Sequence, residues 1–136
     1  MRKRLLMLVG AALAAAPAFA DVEFYIHGTY EGRLEADGDV YIHGAYRGRL
    51  DADGDVYVDG GYGGRVEEDG DIYRKGTYYG RVEDDGDIYV GGAFVGRLED
   101  DGDIYKKGTL LGRAQGMRPG KYLSVVAFLV FFGGYF

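Results

Sequence analysis

Apolar and polar residues recur along this chain with a period of sixteen. Read from Asp21, the blocks are DVEFYIHGTYEGRLEA, DGDVYIHGAYRGRLDA, DGDVYVDGGYGGRVEE, DGDIYRKGTYYGRVED, DGDIYVGGAFVGRLED and DGDIYKKGTLLGRAQG, and these six fill residues 21–116 without a gap. The fourth place of each block is apolar (Phe24, Val40, Val56, Ile72, Ile88, Ile104), and so is the fourteenth (Leu34, Leu50, Val66, Val82, Leu98, Ala114). Five places never vary: the opening Asp, the fifth-place Tyr, the eighth-place Gly, and the Gly-Arg pair at twelve and thirteen. The third place is always acidic. Such sameness means that every block solves one packing problem.

Within a block, the D-[VI]-Y run is rich in β-branched and aromatic residues, which suit a pleated, half-buried surface. Tyr46, Gly48 and Leu50 alternate with Arg47 and Arg49, the strand period of two. Asp-Gly at 37–38, 53–54, 69–70, 85–86 and 101–102 separates such runs. It predicts two-residue hairpin turns in which both central positions take positive φ. The eighth-place Gly marks a second turn. Each block is therefore two strands of about five residues, and the array about twelve antiparallel strands.

A lone hairpin is marginal in water, whereas stacked copies bury what one copy cannot. An open array leaves two edges that closure removes. The expected fold is all-β: six 16-residue β-hairpin repeats in a closed, rosette-like array, with a β-solenoid as the alternative. Sixteen residues are too few for a propeller blade of about 40. Five-residue strands are short of the roughly 9–11 that cross a bilayer.

Beyond Gly116, Met117-Arg118-Pro119-Gly120 is a breaker cluster, followed by KYLSVVAFLVFFGGYF. From Tyr122 to Phe132 only Ser124 is polar, a run too short for an ordinary membrane span. Three readings compete: a plug or cap for the ring, an interfacial membrane anchor, or a terminal aromatic strand read by outer-membrane assembly machinery. The first is preferred, because the repeats hold few large aliphatics of their own and an uncovered apolar tail invites aggregation. No helical moment is visible, and Gly133-Gly134 argues against a helix.

Residues 1–20 have the layout of a secretory signal peptide: a cationic MRKR, the apolar LLMLVGAALAAA and the small-x-small Ala18-Phe19-Ala20. The organisation is then a leader (1–20), the repeats (21–116) and an apolar segment (117–136). The expected destination is outside the cytoplasm: periplasm, outer-membrane associated, or secreted. Without the leader the chain holds 13 basic against 22 acidic side chains, a net charge of −9. That argues against nucleic acid, which is bound by Lys and Arg. With no cysteine, neither disulfides nor thiolate chemistry enter.

The run G-D-I-Y-x-x-G-x-x-x-G-R-V, repeated without gaps over residues 21–116, resembles the β-flower proteins, bacterial domains in which short hairpins radiate around a central axis. The resemblance implies a closed hairpin array and little about function. Four or five petals are associated with that family, against six blocks here.

Four constellations could carry chemistry. Arg33, Arg49, Arg65, Arg81, Arg97 and Arg113 could hold an anion, but a ladder of Arg–acid pairs at the same period is preferred. The Asp-Gly-Asp turns suggest weak calcium binding at most, since no complete twelve-residue loop pattern is present. The tyrosines at places five and ten could stack on glycans, although core packing is the preferred reading. His27 and His43 share a place that elsewhere holds Asp59, Lys75, Gly91 and Lys107, so a metal there is not expected.

No nucleophile–base pair is evident, and Ser124 is the one serine. Near-identical repeats also give no asymmetry that would separate two carboxylate pKa values. The sequence therefore assigns no catalytic, cofactor-binding or metal residue. The expectation is an exported, non-enzymatic structural or binding module of the bacterial envelope, with its protein or glycan partner unknown. The alternative is a membrane-associated surface protein anchored by the tail.

Overall fold

The computed structural model describes residues 21–118 and 122–136. The leader segment, 1–20, lies outside the described residues. Twelve strands run from β1 (Val22–Ile26) and β2 (Thr29–Leu34) to β11 (Asp103–Lys106) and β12 (Thr109–Gln115). Each pairs antiparallel with its chain neighbours, and β12 pairs with β1 to close the barrel, with Gly112 opposite Ile26 and Gln115 opposite Glu23. The closed array of hairpins is thus present and no edge remains.

The turn expected at the eighth-place Gly is present, and the connection at Asp-Gly differs from expectation. The two-residue turns lie at places seven and eight, where His27 and Gly28 have φ of 50° and 80° and the other repeats follow. These are the double positive-φ hairpin turns. The Asp-Gly pairs instead end three-residue loops. In the first, Gly38 alone takes positive φ (99°), its N–H donates to Glu35 O (2.9 Å), and Glu35 N–H donates to Asp39 O (2.8 Å). This is a type I turn closed by a glycine bulge. The Asp there keeps an ordinary φ and accepts the N–H two residues on with its side chain: Asp39 to Asp37 Oδ1 at 3.0 Å, and likewise in the next four loops. The barrel therefore has a loop rim and a turn rim.

Fourth- and fourteenth-place residues point inward and face each other across the seams between hairpins: Leu34–Val40, Leu50–Val56, Val66–Ile72, Leu98–Ile104 and Ala114–Phe24. The smallest residue of the girdle faces the largest, so the volume of each pair stays nearly constant. Such a girdle does not fill the interior. Eight strands enclose just enough room for side chains, and twelve enclose more.

The tail fills that space. Residues Tyr122–Ala127 form an α-helix, α1, continued by a π-helical turn over Phe128–Gly133. Val125 through Val130 are almost wholly inaccessible, and Phe128 stacks on Phe24 with centroids 3.6 Å apart. The plug reading holds, but the expectation of no helix does not. A helix wrapped on all sides by apolar walls has no polar face, so it shows no moment. Gly134, at φ 68° and ψ 26°, is the helix's left-handed cap, and its N–H donates to Leu129 O. The glycines end the helix rather than preventing it. Among the described residues no helix is long and apolar enough to cross a membrane.

Candidate functional site

The invariant places have structural assignments. The thirteenth-place Arg pairs with the third-place Asp of its own repeat: Arg49–Asp39 (2.9 Å), Arg65–Asp55 (2.6 Å), Arg81–Asp71, Arg97–Asp87 (2.5 Å) and Arg113–Asp103 (2.6 Å). Most also reach the acid two residues on, as Arg49 does Asp51 (2.8 Å) and Arg33 does Glu35 (2.8 Å). The preferred ladder is what forms, and Asp51 and then Asp39 hold the Arg49 pKa above its usual value. The twelfth-place Gly sits where a Cβ would meet the next repeat's backbone; at Gly112 it would lie 2.0 Å from Tyr25 O.

The tyrosines are not core. Every hairpin has a register shift between places four and five, so that in the first Phe24 faces Gly32 while Tyr25 faces Tyr30. The extra residue, at place eleven, interrupts the alternation and leaves the tenth-place side chain on the outer wall. There Tyr46, Tyr62, Tyr78, Phe94 and Leu110 are exposed. The aromatic ones pack edge-on against the fifth-place Tyr, with centroids 5.5–5.8 Å apart in five repeats. His27 and His43 lie exposed on the turn rim.

The eleventh-place residues vary most: Glu31, Arg47, Gly63, Tyr79, Val95 and Leu111. Several of them meet the tail, which occurs once. Tyr79 donates its hydroxyl to Phe136 O (2.7 Å), a Cβ on Gly63 would lie 3.7 Å from Phe131, and Tyr135 approaches Glu31. Burial, and then Glu31, push the Tyr135 hydroxyl up to about 12. At the loop rim the tail leans toward the fifth repeat: Tyr122 donates to Asp100 Oδ1, and a Cβ on Gly86 would touch its ring at 3.4 Å. That hydrogen bond, and then burial, push Tyr122 up to about 12.

The lean leaves a cavity of about 410 Å³ at the loop rim of repeats one to three. Its floor is Leu34, Leu50, Val66 and Leu123, and Leu50 is the one fourteenth-place residue that is not buried. Its edge carries Glu35, Asp37, Asp51, Asp53 and Glu68, while Arg118 is the single basic residue lining it among the described residues. Glu35 and Asp37 also bring carboxylate oxygens within 4.8 Å of Asp39. Asp37 is already held by the loop N–H and Asp39 by Arg49. The sequence could not give this site, because it exists through the tilt of the tail rather than through any repeat place. Comparison with protein-family models, curated proteins and solved structures finds no match to this chain.

Proposed function

We propose that the chain is an exported, non-enzymatic binding module of the bacterial envelope, related to the β-flower proteins, and that its ligand is an amphipathic organic cation. The observation that carries this reading is the cavity over Leu50: an apolar floor under a carboxylate edge in an otherwise closed and plugged ring. Its volume lies within the roughly 300–1,000 Å³ usual for small-ligand sites. An aromatic or alkyl body fits the floor, and one ammonium or amidinium group fits the edge. Calcium held weakly by the same loops is a minor variant and would compete with the organic cation. The leader layout supports export, and the fixed places, already engaged in turns and ladders, leave binding rather than catalysis as the role.

The test is to express the full chain in a bacterium and recover it from the periplasm. The expected product starts at Asp21; an uncleaved cytoplasmic chain overturns the export part. Titration with benzyltriethylammonium should then shift the NMR methyl signals of Leu50 and Leu123, and tetramethylammonium or phenylbutyrate should not. Leu50→Phe, which fills the floor, should abolish the shifts. Equal response to all three probes would remove the binding part.

A further inference from the structure

The turn rim carries its own asymmetry, in the opposite corner of the barrel. In repeats four to six, places six to eleven (residues 74–79, 90–95 and 106–111) hold Arg74, Lys75, Lys106 and Lys107 and no acidic side chain. The same places in repeats one to three hold Glu31 and Asp59, and these pair locally: His43 approaches Glu31 at 3.6 Å and Arg47 approaches Asp59 at 3.2 Å. The four cations of the later repeats are exposed, and none joins an ion pair among the described residues, although Arg74 lies over the rings of Tyr79 (5.0 Å) and Phe131 (5.5 Å). Beside them stand Tyr78, Phe94 and Leu110, exposed by 49%, 47% and 52%. Phe94 and Leu110 replace the tyrosines of earlier repeats; Leu110 shares its repeat with Lys106 and Lys107, and Phe94 lies in the repeat between the two that carry the cations. Phe136, half-buried with Lys106 Nζ 5.9 Å above its ring, extends the apolar surface toward the mouth.

We infer that this side of the turn rim docks on the surface of an anionic lipid bilayer. Aromatic and aliphatic side chains at headgroup depth supply apolar burial, and adjacent Lys and Arg are attracted by anionic lipids. A soluble polyanion would need the cations but not Phe94 and Leu110. A neutral glycan would need the rings but not four cations without a carboxylate partner. The two features coincide for a charged interface with an apolar interior. The chain's net negative charge does not oppose this pose. Glu31 and Asp59 on the same rim belong to repeats one to three and are locally paired, and the acidic loops lie a strand's length away, roughly 17–20 Å, whereas charges are screened over about 8 Å at physiological salt. The pose also leaves the cavity over Leu50 facing away from the lipid, so the two sites are independent.

The experiment is co-sedimentation of the purified chain with vesicles of phosphatidylcholine, alone or with about one-third phosphatidylglycerol. Binding is expected only to the anionic vesicles. The double variant Lys75→Glu/Lys107→Glu should bind about ten-fold more weakly or worse, at roughly 1 kcal/mol for each basic residue near the surface. Phe94→Ser/Leu110→Ser should lose a comparable factor, and Asp53→Asn/Glu68→Gln, in the cavity edge, should bind as the parent does. Failure of lipid docking is thereby separated from failure of the cavity reading. In Phe94→Trp, anionic vesicles with brominated acyl chains should quench the indole emission, which decides the matter even if a double variant misfolds. No binding to anionic vesicles, or no quenching, overturns the inference. So does binding that survives Phe94→Ser/Leu110→Ser but is displaced by a soluble polyanion.

Discussion

The two rims are built by the same six repeats and come out differently. At the loop rim the residues are nearly the same in all five loops, with Gly opening the strand, Asp bonding its own loop and Asp meeting Arg. At the turn rim places six and eleven change from repeat to repeat, because there the walls meet a single, asymmetric tail. In a repeat protein, an invariant place reports on a contact that every repeat makes, and a variable place reports on something that occurs once. The cavity over Leu50 and the cationic patch around Phe94 both follow from broken symmetry, the first from the tilt of the tail and the second from substitution.

Removing the tail puts the comparison under the greatest strain. Eight tail side chains, Tyr122 and Val125 through Phe131, are buried. At about 1.5–3 kcal/mol for each large one, their loss is of order 10 kcal/mol, comparable to a whole domain's stability. A chain ending at Gly116 should show no cooperative thermal transition by circular dichroism; a sharp melt near the parent's would mean that the ring stands without its plug.

Next in size is a pair of glycine substitutions, one inside the last strand and one in the turn that leads into it. Gly112→Ala drives a Cβ into the Tyr25 carbonyl at the closing seam and should cost about 3 kcal/mol in urea unfolding. Gly108→Ala, in a two-residue turn with φ of 82° and open space around it, should cost about 1–2 kcal/mol from backbone conformation alone. Equal losses would mean that contact across the seam does not fix the twelfth place.

The smallest effect is in alkali. Tyr122 and Tyr135 are held to about 12, above the usual tyrosine value of about 10, so the folded chain keeps these protons when the unfolded chain has released them. The resulting stability is complete below pH 10 and drains away as pH rises toward 12. Tyr122→Phe should therefore lose melting temperature less steeply than the parent between pH 10 and 12. An unchanged slope would show that the bond to Asp100 does not hold the loop-rim end of the tail.

Much of this fold was legible because it is local and repeated. The period, the inward places four and fourteen and the Arg–Asp ladder follow from composition and spacing within one block. Three things were not legible. The helix of the tail carries no moment, since Val125 through Val130 are covered on every side. The outward tyrosines depend on a bulge that adds one residue to the count, and a period-two reading carries Tyr46 inward with Gly48 and Leu50. The loop at Asp-Gly is longer than expected, because Asp-Gly serves a three-residue loop as readily as a two-residue one.

The seam between β12 and β1 also governs how the molecule comes into being. Nearly every strand pairing joins residues close in sequence and can form as soon as a hairpin is made, but closure joins the two ends of the array and the plug follows the last strand. Local pairings form quickly, while a contact that spans the chain waits on loop entropy. During synthesis the ring therefore stays an open, unplugged ribbon until its final segment is available, and it then completes in one late, cooperative step.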